Sequence, residues 1–135
     1  MVPNKDRIED LELVLARLEE VIIEFDKNEN PSIHGIMRDS LIKRFEMSID
    51  VFWKSVKDFL ADHHGLVVNG PKNVFKEAFA QQFFDKKNAT LAEDMVDDRN
   101  ETTHRYDRVM AEEIAQRVHL YHALMSQGLK QLKKV

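Results

Sequence analysis

Apolar side chains recur at steps of three and four residues along most of this 135-residue chain. The longest regular stretch, residues 32–63, contains the apolar stripe Leu41, Phe45, Ile49, Phe52, Val56 and Phe59. This spacing places the stripe on one face of an α-helix, and at about 1.5 Å per residue that helix would be about 45 Å long. A helix of that length predicts the central element of a helical bundle.

Four shorter periodic stretches predict the other helices. They lie at residues 5–27 and 71–84, from Thr90 to a break near Thr102, and at residues 107–133. No internal repeat or interdomain linker separates them. We therefore expect one all-α domain over residues 1–135, an up-and-down bundle of four to five helices.

Short signals mark the predicted helix ends. Gly65 suits the left-handed residue that follows the second helix, and Pro71 suits the first turn of the third. Thr90 and Glu93 match a capping box, in which the two side chains satisfy each other's backbone amides. The fourth helix is therefore predicted to begin at Thr90.

Composition limits the classes of function. The chain has no cysteine, which excludes disulfides and thiolate zinc sites, and residues 1–10 lack the apolar core of a signal peptide. No apolar run approaches the ~20 residues of a membrane span. The net charge of −4 argues against a general coat for nucleic acid, which needs an excess of lysine and arginine. These features predict a cytoplasmic protein without a membrane segment.

The segment 99–106 carries the strongest chemical signal. It brings Arg99, His104 and Tyr106 within eight residues. Arginine offers a fixed fork of donors to phosphate, and histidine is the side chain best suited to move a proton near neutral pH. The combination indicates phosphate-ester chemistry that needs no metal or cofactor.

Helical geometry sets a condition on this chemistry. Arg99 follows Met95 by four residues and so falls on the side that faces the bundle. In an unbroken helix His104 would lie about 140° around the axis from Arg99. The two side chains converge only if the helix breaks between them, and Thr102 and Thr103, with Asp107 further on, are plausible caps for such a break.

Four residues of this segment match the R-N-x-x-x-H-x-Y motif of HEPN domains: Arg99, Asn100, His104 and Tyr106. The chain resembles most closely the HEPN branch called nucleotidyltransferase substrate-binding proteins. The resemblance extends to residues 42–46 and 51–54 on the long helix and to residues 71–79 on the third. Leu91 departs from the pattern, since an aromatic residue is common eight positions before the motif arginine.

The resemblance implies a function as well as a fold. HEPN bundles commonly form homodimers that bring two motifs to one cleft, and HEPN ribonucleases cut RNA there without metal. By this resemblance Arg99 and His104 are assigned to catalysis or phosphate binding, with Asn100 in support. Tyr106 matches the tyrosine that a partner nucleotidyltransferase adenylylates in related toxin and antitoxin pairs. The first functional hypothesis is thus a toxin-type endoribonuclease silenced by that partner.

A second hypothesis fits the same residues. The chain would be a non-catalytic subunit that binds substrate or a nucleotide for a minimal nucleotidyltransferase, with the motif acting as a phosphate clamp. Five carboxylates near the motif would repel RNA if they face it: Glu93, Asp94, Asp97, Asp98 and Glu101. Alternatively, the motif side chains are structural and only hydrogen-bond within the bundle. Both functional hypotheses predict a small nucleotidyltransferase gene next to this one.

The remaining polar and aromatic clusters give weaker signals. Lys72, Lys76, Lys86 and Lys87 are the candidates for binding RNA or nucleotide phosphates, although such lysines usually form a solvated face. The aromatic residues of the third helix could stack bases but are assigned to packing, in the core or at a dimer seam: Phe75, Phe79, Phe83 and Phe84. His119 and His122 lie one helical turn apart but lack a third ligand, so no metal site is predicted.

Overall fold

The computed structural model describes residues 5–135, so the first four residues of the predicted domain lie outside it. The described chain forms five helices: α1 Lys5–Lys27, α2 Pro31–His64, α3 Pro71–Ala80, α4 Lys86–His104 and α5 Arg108–Lys133. The predicted all-α bundle is confirmed. None of these helices has a stretch long and apolar enough to cross a membrane.

Helix α2 is the central element, as its apolar stripe predicts. It packs against each of the other four helices, and α1 and α5 also pack against each other. Along the stripe, Phe45 stacks on Tyr121 of α5 with ring centroids 5.5 Å apart, and Phe52 contacts Phe75 of α3 and Phe84. These aromatic contacts join α2 to both the α5 side and the α3 side of the core.

Several predicted boundaries are confirmed. Gly65 has φ +65° and ends α2, and its amide hydrogen-bonds to the carbonyl of Ala61 at 3.2 Å. Pro71 occupies the first turn of α3. Asp107 caps α5, because its Oδ1 accepts from the backbone amide of Val109 at 2.9 Å.

The predicted boundary between α3 and α4 is wrong. Helix α3 ends at Ala80, and α4 begins before Thr90, with Asp85 as its N-cap. The Asp85 side chain accepts from the amide of Asn88 at 2.7 Å, so the helix is capped five residues before the predicted capping box. The Thr90 hydroxyl bonds instead to the carbonyl of Lys86 inside the helix.

The predicted break between Arg99 and His104 is also wrong, because α4 continues to His104. The Thr102 hydroxyl lies 2.9 Å from the carbonyl oxygen of Arg99 within the same helix, and the Thr103 hydroxyl donates to the carbonyl of Asn100 at 3.1 Å. These hydroxyls therefore bond back within the helix instead of capping a new one. The chain turns only at residues 105–107.

Close packing at Gly128 gives a testable prediction for stability. A Cβ atom at Gly128 would lie 2.5 Å from Cε1 of the buried Phe52 ring, whereas one at Gly35 would meet only the end of the Arg38 side chain at 3.6 Å. We expect Gly128→Ala to lower the free energy of unfolding by about 1–3 kcal/mol through overpacking. Gly35→Ala should instead raise it by up to about 1 kcal/mol, since alanine favours helix. Urea unfolding of both variants tests this prediction. Equal changes in the free energy of unfolding would contradict overpacking at Gly128.

Candidate functional site

The Arg99 and His104 side chains do not meet within one chain. Arg99 is half-buried in α4, and its Nη1 donates to the Asn100 side-chain oxygen at 3.3 Å. His104 is exposed on the last turn of α4, and its side chain has no hydrogen bond or ion pair within residues 5–135. Because the helix is continuous, the two side chains leave it about 140° apart. The chain thus presents an arginine and an imidazole on different sides of α4.

Tyr106 lies on the turn between α4 and α5, and this turn with its flanking residues 104–109 is called here the α4–α5 corner. The residue is 66% exposed, yet its hydroxyl is held on both sides. It donates to Oδ1 of Asp39 at 3.0 Å and accepts from Nη2 of Arg38. The Arg38 guanidinium also lies 5.8 Å from the centre of the Tyr106 ring, within the range of a cation–π contact. The phenol is therefore fixed in place with its ring open to solvent.

Arg38 is the residue that organises this network, and it is only 7% exposed. It donates from Nη1 to Glu112 on α5 at 3.1 Å and from Nε to Asp39 at 3.3 Å. Burial lowers its pKa, but the hydrogen bond to Glu112 and the neighbouring acidic groups outweigh burial and leave the pKa raised. His34 adds a contact of 2.6 Å from Nε2 to the same Glu112 carboxylate.

Arg38 was not predicted from the sequence, although its position on α2 carries one signal of a buried charged residue. Arg38 stands three residues before Leu41 and so continues the buried stripe of α2 toward its N-terminus. A charged residue in register with an apolar stripe is buried only if it has partners. Those partners, Tyr106 and Glu112, lie 68 and 74 residues away along the chain.

A cavity of about 220 Å³ opens beside the Tyr106 ring. Its charged rim consists of Asp39, Lys43, Glu46 and Arg105, and its apolar wall includes Ile42 and Met110. The Glu46 carboxylate accepts from the Thr102 hydroxyl at 2.7 Å, which ties α2 to the last turns of α4. The corner thus combines an open aromatic ring with a cavity of mixed charge.

Cations pair with several of the carboxylates that sequence placed near the motif. Asp98 receives two hydrogen bonds from Arg117, at 2.8 and 2.9 Å, and a third from the Tyr121 hydroxyl. Asp97 pairs with Lys72 at 2.7 Å, and Glu101 pairs with Arg105 at 3.3 Å. Ion pairing weakens their repulsion of an approaching phosphate.

The hydrogen-bonded Tyr121 phenol should make the folded protein less stable at alkaline pH. Burial, and then the hydrogen bond to Asp98, raise the pKa of its phenol above the ordinary value of 10.0. Since the folded-state pKa is the higher one, the stabilisation is fully present below pH 10 and is lost as the pH rises toward the folded pKa. Urea unfolding between pH 8 and about 11.5 should show a steeper fall for the wild type than for Tyr121→Phe. If the free energies of unfolding of the two proteins fell equally with pH, the Tyr121 phenol would not be the source of the alkaline loss.

The second cavity, of about 250 Å³, lies between α3 and α4 and is called here the lysine cavity. Three of the four lysines singled out from the sequence line it: Lys72, Lys76 and Lys86. Lys87 is exposed but does not line it. The assignment of Phe75, Phe83 and Phe84 to packing is confirmed, whereas Phe79 lies outside the core of the single chain and its packing role stays a prediction. Phe79 is 46% exposed and forms part of the cavity wall.

The histidine pair on α5 is not arranged as a metal centre. His119 is exposed, whereas the Nε2 of His122 lies 3.0 Å from the carbonyl oxygen of Leu15 on α1. In the part of the chain that the structure describes, no group of three or more histidine, aspartate or glutamate side chains is placed to share a metal ion.

Comparison with known proteins adds a family and a fold. A sequence profile described as nucleotidyltransferase substrate binding protein like matches residues 6–134. A Thermus thermophilus protein with a crystal structure is similar to this chain, with 35% sequence identity and a TM-score of 0.81. The similarity covers 90% of this chain and 98% of that protein. The search of curated proteins returned no match.

Proposed function

Since the chain belongs to the family of nucleotidyltransferase substrate-binding-like proteins, we propose that it is a non-catalytic subunit of a small nucleotidyltransferase and docks through the α4–α5 corner. The observation that carries the proposal is the state of Tyr106, whose ring is exposed while its hydroxyl is fixed by Arg38 and Asp39. A pre-positioned, accessible aromatic group is typical of a recognition surface.

Tyr106 is also proposed as the acceptor of a nucleotide from the partner enzyme. Its phenolic oxygen would attack the α-phosphorus of a nucleoside triphosphate, forming a new P–O bond while the bond to pyrophosphate breaks. Asp39, 3.0 Å from that oxygen, is positioned to take the phenolic proton. Arg38 donates to the same oxygen and would stabilise negative charge that develops on it.

Docking at the corner can be tested by co-purification with a small nucleotidyltransferase, whose gene we expect next to this one. Val109, 67% exposed at the start of α5, is replaced by aspartate to place a charge in the proposed interface. The matched control is Val67→Asp, because Val67 is exposed beyond the opposite end of α2. We expect Val109→Asp to weaken the complex at least about tenfold, since a buried unpaired charge is costly. An intact complex in Val109→Asp, or equal loss in both variants, would count against this docking surface.

One observation favours the metal-independent ribonuclease as a second function. His104 is exposed and free of described partners, so two copies in a homodimer could each contribute an imidazole to one cleft. One imidazole would take the 2′-hydroxyl proton and the other would protonate the leaving oxygen, with Arg99 and Asn100 binding the phosphate. The acidic surroundings and the separation of Arg99 from His104 within a chain make this the second choice.

The two functions differ in a metal-free assay. The purified protein is incubated with cellular RNA in EDTA, beside His104→Ala, Arg99→Ala and the exposed-histidine control His119→Ala. The subunit proposal predicts no cleavage by any of the four proteins. Cleavage by the wild type and His119→Ala that is lost in the other two variants would establish the ribonuclease instead.

A further inference from the structure

The lysine cavity has an aromatic wall and a cationic rim. Phe79, Phe75 and Ala89 supply its apolar lining, and three cationic residues, Lys72, Lys76 and Lys86, also line it. Lys72 and Lys76 come from one face of α3, while Lys86 comes from the first turn of α4. Two helices therefore bring cations to the edge of a single hydrophobic recess of about 250 Å³.

Two of these ammonium groups are not engaged by the rest of the described chain. Lys72 pairs with Asp97 at 2.7 Å, whereas Lys76 and Lys86 have no ion pair within residues 5–135. Lys86 also stands at the N-terminus of α4, where the helix dipole favours negative charge. An anionic group at the cavity mouth would therefore meet two free cations.

The polar groups of the cavity limit its ligand further. Glu93 and Thr90 lie on its α4 side, so part of the rim can accept hydrogen bonds and repels a second anion. A ligand that fits must therefore carry an anion at one end, hydroxyl or amino donors, and a flat apolar ring. Small-molecule pockets usually measure about 300–1,000 Å³, so a recess of this size suits one small, partly exposed molecule.

We infer that the lysine cavity binds a single nucleotide, with its base against Phe79, its phosphates at Lys76 and Lys86, and its sugar hydroxyls toward Glu93 and Thr90. A base can stack on an exposed phenylalanine, and ammonium groups bind phosphate as point charges. A long RNA strand fits less well, because the net charge of −4 repels an extended polyanion. Nucleotide binding in this cavity does not require the proposed function. The use of the bound nucleotide by a partner nucleotidyltransferase does rest on it.

The test is isothermal titration calorimetry of the full-length protein alone with ATP, GTP, CTP and UTP, each added separately. We expect at least one of them to bind. Lys76→Ala and Lys86→Ala should each weaken that binding about tenfold, the cost of losing one charge-assisted hydrogen bond. Phe79→Ala should weaken it by a similar factor through loss of stacking. All three residues are exposed, so circular dichroism should show unchanged folding.

Lys87→Ala is the matched control, since Lys87 is the exposed neighbour of Lys86 and lies outside the cavity. It should change the affinity less than twofold. The inference is overturned if none of the four nucleotides binds, if Lys87→Ala weakens binding as much as Lys86→Ala, or if inorganic triphosphate binds as tightly as the nucleotide. Binding of an RNA oligomer without any mononucleotide would overturn it as well. Because the partner enzyme is absent, failure here leaves docking at the α4–α5 corner separately testable.

Discussion

Replacing Asp98 with alanine should lower the free energy of unfolding by about 2–3 kcal/mol. The Asp98 side chain is only 14% exposed and accepts two hydrogen bonds from Arg117 and one from Tyr121. Alanine would leave a guanidinium and a buried phenol without their acceptor, and Tyr121 is completely buried. The buried phenol bears most of the loss, since an unsatisfied buried polar group costs about 1–3 kcal/mol, whereas the Arg117 side chain is 43% exposed and can hydrogen-bond to water in part.

The adjacent carboxylate supplies a matched control. Asp97 also has a cationic partner, Lys72, but its side chain is 55% exposed and solvent screens the pair. Asp97→Ala should therefore leave the free energy of unfolding nearly unchanged. Urea unfolding monitored through the single Trp53 measures both variants. Similar losses in the two would show that Asp98 is not a structural anchor between α4 and α5.

Most of the fold follows from local sequence patterns. The stripe from Leu41 to Phe59 predicts α2, and Gly65, Pro71 and Asp107 each mark a helix end that the structure confirms. These signals succeed because each acts within a few residues, through helical periodicity or through a side chain that satisfies a nearby backbone group. The family assignment drawn from segment 99–106 and its companion blocks is confirmed by the family profile that matches residues 6–134.

The errors arise where two local signals compete. Asp85 and Thr90 are both acceptable N-caps, and the earlier one prevails while Phe83 and Phe84 are buried beside it in the turn before α4. At Thr102 and Thr103, capping a new helix competes with back-bonding inside the existing one. Burial of Phe83 and Phe84 in the first case, and the hydrogen bond from Thr102 to Glu46 of α2 in the second, are tertiary contacts that local sequence patterns do not reveal.

The candidate sites depend on contacts that are distant along the chain. Lys72 and Lys76 share a helix face because they are four residues apart, which is readable from sequence. The sequence does not show that Lys86 reaches the same cavity from a different helix, or that Phe79 is partly exposed. The Arg38 network likewise joins α2 to a corner 68 residues away, so only the folded structure reveals how the Tyr106 hydroxyl is held.

Tyr106→Phe should abolish transfer of label from α-³²P-labelled nucleoside triphosphate to this chain by its partner nucleotidyltransferase. Phenylalanine keeps the exposed ring but removes the oxygen that would form the bond to phosphorus. Asp39→Asn should retain labelling at a rate about 10²–10⁴-fold lower, because an amide cannot accept the phenolic proton as a base does. The contrast between complete loss and slowed transfer would separate the acceptor from the group that assists it.

Tyr121→Phe is the control for this result, since the chain has only two tyrosines. Tyr121 is buried against Phe45 and cannot reach an enzyme without unfolding, so its variant should be labelled like the wild type. Labelling that persists in Tyr106→Phe would refute the acceptor assignment, whichever residue then carried the label. If Tyr106→Phe still co-purifies with the enzyme, the corner remains a docking surface and only the transfer step is excluded. Docking and transfer thus fail independently, because docking depends on the exposed ring and its neighbours whereas transfer depends on the hydroxyl that Arg38 and Asp39 hold.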